Sequence, residues 1–363
     1  MKGKISGNKE ARFAVSLLQW NREKNKRQMP WKGEKDPYKI WLSEIILQQT
    51  RVEQGLNYYK NFINAFPDIH HLADAKDSEV FKLWEGLGYY SRCKNLLITA
   101  RHIVKARNGC FPDRYEDIIV LKGIGSYTAA AISSFAFSLP YAVVDGNVFR
   151  VIARVFGISE TIDTAEGKKY FTALANKLLD KKQPGIYNQA IMDFGAVVCK
   201  PVAPLCHECV FKRSCVAYQR DKIEELPVKS KKNSIKKRWF NYLVLEYKDE
   251  VFIRERLAKD IWQHLFEFCL VETEKPENKK SILEMAVKEK LLKDKKFSVI
   301  DSPPVLKQLL SHQLIIGQFI YVRLSSKPLN TENYISVPKE KLKNYPFSKL
   351  INDYINSSFK EMK

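Results

Sequence analysis

The sequence predicts a mainly α-helical part followed by a smaller α+β domain. From Phe13 to about Tyr218, apolar positions recur at three- and four-residue intervals, which is typical of amphipathic helices. After Arg238 the period becomes two, and the run from Tyr242 to Arg254 indicates a β-hairpin. A helix over Ser281–Leu292 and a strand beginning near Leu314 are also predicted. The chain of 363 residues is long enough for two or three such domains.

Composition narrows the class of protein. Lysine and arginine number 61 against 41 acidic residues, a formal net charge of +20, which attracts polyanions such as nucleic acids. With 45% apolar and 12% aromatic residues, the chain is able to bury substantial cores. We find no signal peptide and no apolar run of about 20 residues, and therefore expect a soluble cytoplasmic protein without membrane contact.

Between the two parts lies a lysine-rich stretch, residues 223–238, which includes Lys231 and Lys232. We predict a basic linker here. Its charges are suited to follow a phosphate backbone, although a solvated connector explains the same composition.

Four of the seven cysteines lie within 17 positions, at Cys199, Cys206, Cys209 and Cys215. Four thiolates at this spacing can converge on one centre and bind either zinc or an iron–sulfur cluster. Zinc modules usually contain two matched Cys-x2-Cys pairs, whereas only one pair is present here. The spacing therefore favours the cluster over zinc.

A tight turn with two glycines, Leu121-Lys122-Gly123-Ile124-Gly125, joins two helical segments. Glycines at Gly123 and Gly125 allow the backbone to approach a phosphate closely, and the helix that starts near Ser126 points its positive end the same way. Because Lys122 and the net charge support phosphate binding, a DNA-binding helix-hairpin-helix is favoured over a simple turn between helices.

Two acidic residues are candidates for chemistry. Glu44 lies among apolar neighbours on the helix after Asp36-Pro37, where partial desolvation would raise its pKa and suit it to general acid catalysis. A solvent-facing glutamate is the alternative. Asp145 ends an apolar run just before a predicted helix, where a purely structural N-cap is the alternative to a functional carboxylate.

Taken together, these motifs resemble the helix-hairpin-helix DNA glycosylases of the endonuclease III superfamily, over about Arg27 to Cys215. Within it the chain is similar to the MutY family, adenine glycosylases that act opposite 8-oxoguanine. The segments that carry the resemblance are Met29-Pro30-Trp31, Trp41-Leu42-Ser43-Glu44, Leu47-Gln48-Gln49-Thr50, Gly86-Leu87-Gly88-Tyr89-Tyr90-Ser91-Arg92 and Val144-Asp145-Gly146-Asn147-Val148.

The resemblance implies a mechanism. Glu44 would protonate nitrogen 7 of adenine and later activate water, while Asp145 would stabilise the oxocarbenium-like sugar. Tyr127 and Asn147 would orient these groups. Tyr127 stands where bifunctional members have a lysine, so a mainly monofunctional enzyme is implied.

The resemblance also implies binding residues. The flipped adenine would be contacted by Arg27, Met29, Trp31 and Gln189. Duplex DNA would be contacted by Gln49, Tyr89, Lys122, Gly123 and Gly125. Without the resemblance, Gln49 and Tyr89 are equally well a surface amide and a core aromatic.

The C-terminal part resembles the MutY lesion-recognition domain, which is Nudix-like, although it lacks an acid-rich Nudix catalytic box. Lesion recognition is predicted for Thr50, Leu87, Ser311 and His312. Cys269 replaces a usual proline, and Leu310 stands where an aromatic residue is common.

The implied fold is thus a helix-hairpin-helix glycosylase fold with an iron–sulfur subdomain, followed by an α+β Nudix-like domain. The implied domains are residues 1–30 with 139–222 (iron–sulfur cluster helical subdomain), 31–138 (helical subdomain with the helix-hairpin-helix), 223–238 (basic linker) and 239–363 (lesion recognition). The implied cofactor is a 4Fe–4S cluster, and the implied partner is double-stranded DNA with A:8-oxoguanine or A:G mispairs. We expect a monomer associated with the nucleoid. A thymine mismatch glycosylase and a non-catalytic iron–sulfur DNA-binding module are the alternatives.

Overall fold

The computed structural model describes residues 7–230, 235–292, 296–328 and 332–359. The chain forms two compact units, one of Met1–Ala73 and Asn95–Lys231 and the other of Asp74–Lys94 and Lys232–Lys363. The segment 74–94, which the sequence placed with the helical subdomain 31–138, thus belongs to the second unit. In the described part of the chain, no helix is both long and apolar enough to cross a membrane.

The first unit is helical. Its helices are α1 (Gly7–Glu23), α2 (Pro37–Leu47), α3 (Val52–Ala65), α4 (Ile69–Asp74), most of α6 (Ser91–Arg107), α7 (Tyr115–Ile119), α8 (Ser126–Ala136), α9 (Gly146–Phe156), α10 (Ala165–Leu178), α11 (Pro184–Val197) and α12 (Val216–Gln219). Buried side chains of α1 and α8 to α11 form one hydrophobic cluster of its core, together with Phe211 and Leu226.

Helix α2 begins where its sequence favours initiation. The Asp36 side chain accepts a hydrogen bond from the Tyr38 amide at 2.9 Å, and Pro37 occupies the first helical position. The helix ends at Leu47, and Gln49 adopts a left-handed backbone conformation with φ of 56°. Within the helical pattern predicted from Phe13 to about Tyr218, the stretch from Ile40 to Tyr59 is therefore divided between α2 and α3.

The predicted helix-hairpin-helix is confirmed as α7, a short turn and α8. Gly123 has φ of 80°, and a Cβ atom there would lie 2.6 Å from Cβ of Asn95 on α6. The Thr99 hydroxyl donates to the Lys122 carbonyl at 2.8 Å, which fixes the turn to α6. Gly125 caps the N-terminus of α8.

The second unit contains α5 (Asp77–Trp84), α13 (Lys279–Lys288), α14 (Lys349–Ser358) and a mixed sheet. Its strands are β1 (Lys236–Tyr247), β2 (Glu250–Glu255), β3 (Phe266–Glu267), β4 (Cys269–Thr273), β5 (Phe297–Asp301), β6 (Leu306–Leu309), β7 (Gln313–Leu324) and β8 (Ile335–Pro338). Strand β1 pairs in parallel with β7, and the other pairings in the sheet are antiparallel. The α+β prediction for this part is confirmed.

Two local predictions in this unit have different outcomes. Strands β1 and β2 form the predicted hairpin, and both turn residues, Lys248 and Asp249, have positive φ, as a two-residue hairpin turn requires. The helix predicted over Ser281–Leu292 ends instead at Lys288. Lys290 has a positive φ of 59°, and this turns the buried Leu291 and Leu292 into the core.

Segment 74–94 is held to the second unit by specific contacts. The Phe347 amide donates to the Glu85 carboxylate at 2.7 Å, and the Lys82 ammonium donates to the Tyr345 carbonyl at 3.2 Å. The ring of Phe81 packs against His264. These contacts bring the turn around Tyr89 into the unit that also contains Ser311.

Much of the stretch 223–238 is folded rather than free. Leu226 is buried in the core of the helical unit, and the Val228 carbonyl accepts from the Ile162 amide at 3.0 Å. Residues 236–238 begin β1. Lys231 and Lys232 lie outside the described residues.

Candidate active site

Glu44 is a buried carboxylate on α2, a helix whose other buried residues are mostly apolar. Its neighbours Trp41, Leu42 and Ile45 are buried, and the glutamate itself is only 8% exposed. The pKa of Glu44 is raised to about 7, chiefly by burial; hydrogen bonding with Tyr127 opposes this rise, and the Asp145 charge contributes to it. The solvent-facing alternative is therefore wrong, and the carboxyl can both give and take a proton near neutral pH.

Asp145 is the N-cap of α9, so its structural role is real. One carboxylate oxygen accepts from the Val148 amide at 2.8 Å, and the other accepts from the Asn147 amide group at 2.7 Å. Burial raises the pKa of Asp145, although these hydrogen bonds favour the charged form. Asp145 caps α9 and is also close enough to Glu44 for its charge to raise the pKa of that residue.

Arg150 holds this end of α9 in place from below. Its guanidinium donates to the Asn147 side-chain oxygen at 2.8 Å, to the Gly195 carbonyl at 2.6 Å and to the Cys199 carbonyl at 2.7 Å. Asn147 is thereby fixed between Arg150 and Asp145. Arg150 was not predicted from the sequence. Its position one turn after Asn147 on a helix was the feature that could have indicated a contact between the two side chains.

Tyr127 lies in the first turn of α8, beside Glu44. Its hydroxyl oxygen lies 3.5 Å from the Met192 sulfur, and burial together with the Glu44 charge raises its pKa well above the usual range. The phenol therefore stays protonated. The structure thus brings together Glu44, Asp145, Tyr127 and Asn147.

A cavity of about 390 Å³ opens beside Glu44. This volume lies within the range of about 300–1,000 Å³ that is usual for small-molecule sites. Its walls combine apolar and polar side chains, including Trp31, Lys32, Ile40, Phe135 and Gln189. Among the four residues predicted to contact a base, Trp31 and Gln189 line this cavity.

Asp193 organises the loop that precedes α2. It is fully buried and accepts from Asn25 at 2.8 Å, Arg27 at 2.9 Å, Lys32 at 3.1 Å and Gln189 at 3.0 Å. Arg27, predicted to contact a base, is thus engaged with Asp193. Met29 contributes its carbonyl to a turn, where it accepts from the Lys32 amide at 3.0 Å.

Asp193 was missed in the sequence analysis. It stands four residues after Gln189 on α11, and this spacing was the only signal in the sequence.

The other predicted DNA contacts lie in turns. Gln49 and Thr50 follow α2, where the Thr50 hydroxyl donates to the Gln48 carbonyl at 3.3 Å. Lys122, Gly123 and Gly125 form the hairpin turn described above.

In the second unit, Tyr89 is 42% exposed and has φ of 48°. Its hydroxyl is in hydrogen-bond contact with that of Ser311, in the turn between β6 and β7. The Arg92 guanidinium packs over the Tyr89 ring at 5.4 Å from its centroid. The His312 carbonyl accepts from the Lys236 amide, whereas Leu87 is buried.

The four clustered cysteines line one small cavity of about 20 Å³. Their thiols are buried or half-buried, and burial raises the pKa of Cys209 to about 12, with the charges of the other three sulfurs adding to the rise. Polar groups surround the sulfurs: the Phe211 amide donates to Cys209 at 3.4 Å, and Arg154 donates to Cys199 at 3.6 Å.

These features fit a thiolate-bound cluster, because it needs four convergent sulfurs and nearby donors that offset their charge. Among the described residues, no three His, Cys, Asp or Glu side chains have the spacing that binds a single metal ion.

The helical fold, the hairpin turn and the buried pair of acids define the class of the protein as a helix-hairpin-helix DNA N-glycosylase. Residues 42–181 match the HhH-GPD superfamily base excision DNA repair proteins. The chain is similar to the solved structure of a thermostable thymine-DNA glycosylase, with a TM-score of 0.55 and 30% identity over 59% of this chain and 98% of that one.

Relatives in sequence cover more of the chain. It is 38% identical to the adenine DNA glycosylase of Buchnera aphidicola subsp. Baizongia pistaciae (strain Bp), over 70% of this chain and 73% of the relative. It is 36% identical to the adenine DNA glycosylase of Buchnera aphidicola subsp. Schizaphis graminum (strain Sg), over 80% and 82%. The chain belongs to the adenine DNA glycosylase family.

The raised pKa of Glu44 predicts a specific dependence of stability on pH. The folded state holds this proton more tightly than the unfolded state, so protonated Glu44 contributes to the free energy of unfolding at low pH. That contribution is lost as the pH rises through about 7. Glu44→Gln removes the titration. The free energy of unfolding of the variant, relative to wild type, should increase by about 2 kcal/mol between pH 5 and pH 8. Chemical denaturation at both pH values measures this; a constant difference would contradict a pKa near 7.

Proposed function

We propose that the chain excises adenine that is mispaired with 8-oxoguanine or guanine, by hydrolysis of the bond between the base and the sugar. The main support is Glu44, a buried acid with a pKa of about 7, which faces a cavity of suitable size beside a second carboxylate. The names of its relatives indicate adenine as the base. Its partner is double-stranded DNA, consistent with the net charge of +20.

The base leaves only if its charge is neutralised. Adenine is a poor leaving group as an anion, so a proton must reach nitrogen 7, and Glu44 is able to donate one because burial keeps its carboxyl protonated near neutral pH. After departure of the base, the resulting carboxylate can accept a proton from the attacking water. A mispaired base costs least to flip into the cavity, which adds selectivity.

The sugar develops positive charge as the bond breaks. Asp145 supplies the negative charge that stabilises this cation, and Val148 and Asn147 hold its two oxygens in a fixed orientation. Tyr127 cannot form a Schiff base with the sugar, since a phenol has no amine. The proposed activity is therefore mainly monofunctional.

The remaining binding roles belong to the same proposal. Trp31, Gln189, Arg27 and Met29 surround the flipped adenine, and the hairpin turn at Lys122, Gly123 and Gly125 binds a phosphate. Gln49 and Tyr89 enter the duplex. Ser311 and His312 read the lesion, together with Thr50 and Leu87, which lie close in sequence to Gln49 and Tyr89. The contact between the hydroxyls of Tyr89 and Ser311 supports a common surface for these two residues. The enzyme acts as a monomer on the DNA of the nucleoid.

The cofactor of this proposal is a 4Fe–4S cluster held by Cys199, Cys206, Cys209 and Cys215. These four thiolates would hold the cluster, and the bound group would join the segment after α11 into one centre beside the Cys199 carbonyl that accepts from Arg150. The C-terminal α+β domain is proposed to be Nudix-like and to recognise the lesion.

The proposed function is tested by base release from duplexes with adenine opposite 8-oxoguanine. Glu44→Gln keeps the shape of the side chain but cannot donate its proton, so excision should fall by at least ~10²-fold while duplex binding persists. Glu10→Gln changes another buried glutamate, which pairs with Lys177 and is not among the residues that line the cavity, and should retain excision.

Four other outcomes would count against the proposal. Near-normal turnover of Glu44→Gln would place the general acid elsewhere. Release of thymine rather than adenine would favour the thymine mismatch alternative, and efficient borohydride trapping of wild type on DNA would indicate a bifunctional enzyme. Absence of any base release would favour the non-catalytic DNA-binding module.

The cluster is tested by metal content. Protein purified without oxygen should be yellow-brown and contain about four irons per chain. Cys209→Ser should lose the iron, whereas Cys110→Ser, which changes an exposed cysteine, should keep it. Stoichiometric zinc without visible absorption would contradict the cluster.

Lesion reading is tested by the preference for adenine opposite 8-oxoguanine over adenine opposite guanine. The scissile bond is identical in both duplexes, so the preference must come from the opposite base. The double variant Ser311→Ala with His312→Ala should lower this preference roughly tenfold or more, because single polar contacts contribute about 1–3 kcal/mol. Ser336→Ala, in strand β8, is the matched control. An unchanged preference in the double variant would assign lesion reading to Thr50 or Leu87.

A further inference from the structure

Asp193 is the one buried acid that connects the loop before α2 with the wall of the active-site cavity among the residues described here. Its side chain is fully buried on α11 and accepts hydrogen bonds from Arg27 and Lys32, two cations, as well as from Asn25. The fourth donor is the amide nitrogen of Gln189, at 3.0 Å. A carboxylate beside two cations accepts hydrogen bonds and donates none.

This arrangement decides which way the Gln189 amide faces. A glutamine amide has a donor end and an acceptor end, and a carboxylate can satisfy only the donor end. The nitrogen of Gln189 must therefore point to Asp193, and the oxygen is the end left for a molecule in the cavity that Gln189 lines. The orientation follows from the chemistry of Asp193.

The two orientations would recognise different bases. Adenine has an amino group at carbon 6, which donates hydrogen bonds, whereas hypoxanthine and guanine have a carbonyl there, which accepts them. A fixed acceptor in the cavity matches a 6-amino purine and meets a 6-oxo purine with two facing acceptors, which leaves both oxygens without a partner.

We propose that Asp193 is a positioning residue that selects 6-amino over 6-oxo purines by holding the Gln189 amide with its oxygen towards the base. The inference rests on the proposed function, because it takes a purine in the cavity as the substrate. It adds a residue that does not touch the substrate and acts only through Gln189.

The test compares release of adenine with release of hypoxanthine from otherwise identical duplexes. In Asp193→Asn, the new amide can offer its nitrogen to Gln189, whose amide is then free to reverse and present its own nitrogen to the base. The ratio of adenine release to hypoxanthine release should fall at least about tenfold. Altered charge near Glu44 affects protonation of both bases, so it cancels largely from the ratio.

A double-mutant cycle separates this role from general support of the fold. Gln189→Leu removes the amide, and in that background Asp193→Asn should leave the ratio unchanged, because the two residues act as one unit. A merely structural role of Asp193 would lower both rates and leave the ratio as in wild type. An unchanged ratio in Asp193→Asn, or a full further change in the Gln189→Leu background, would overturn the proposal.

If Asp193→Asn does not fold, as judged by circular dichroism, Asp193→Glu takes its place. The glutamate remains an acceptor only, so a folded variant should keep the ratio within about threefold of wild type, even at a lower rate. A ratio as low as that of Gln189→Leu would overturn the proposal. Wild-type protein that releases neither base would instead reject the proposed function itself, and with it this inference.

Discussion

Burial of the Glu44 carboxyl is the constraint on which the candidate site depends. A carboxylate loses hydration when it is surrounded by apolar side chains, and the neutral acid becomes the favoured form. Helix α2 contributes to this condition, because its residues Trp41, Leu42 and Ile45 are buried along with the glutamate. Burying the charged form of Glu44 costs free energy, so the side chain retains its proton near neutral pH at the wall of the cavity.

The second carboxylate stands in a contrasting environment. Asp145 is also desolvated, but backbone and side-chain donors at the start of α9 compensate its charge. Burial raises the pKa of both acids, but at Asp145 the hydrogen bonds from Val148 and Asn147 oppose that rise. Arg150 connects this environment with Cys199, because its guanidinium donates both to the Asn147 side-chain oxygen and to the Cys199 carbonyl.

Ion pairing organises the other wall of the cavity. Asp193 is enclosed by donors from the loop before α2 and from its own helix, so loss of any one donor would leave a buried charge less well compensated. Arg27 was expected from the resemblance to face the base, and its contact with Asp193 gives it an additional structural role.

In the second unit, the guanidinium of Arg92 packs over the ring of Tyr89, whose backbone is in the left-handed region.

The sequence by itself determined the features that depend on neighbours along the chain. The helical and strand periods predicted the two structural classes, Asp36-Pro37 predicted the start of α2, and the glycines predicted the hairpin turn, because capping and backbone freedom are local properties. The cysteine spacing likewise indicated a shared centre.

Tertiary structure alone decided the rest. Whether Glu44 faced water or the core, and whether the Asp145 charge acted on Glu44, depended on which elements packed beside them. Asp193 and Arg150 carried only their helical spacing to Gln189 and Asn147 as a local signal, since their other partners are supplied by the fold. The same holds for segment 74–94, whose partners in the second unit are distant in sequence. His264 packs against Phe81, and the Phe347 amide donates to Glu85, 262 positions earlier in the chain. Electrostatic environment and long-range packing are properties of the assembled fold, because dielectric surroundings arise only when distant segments meet.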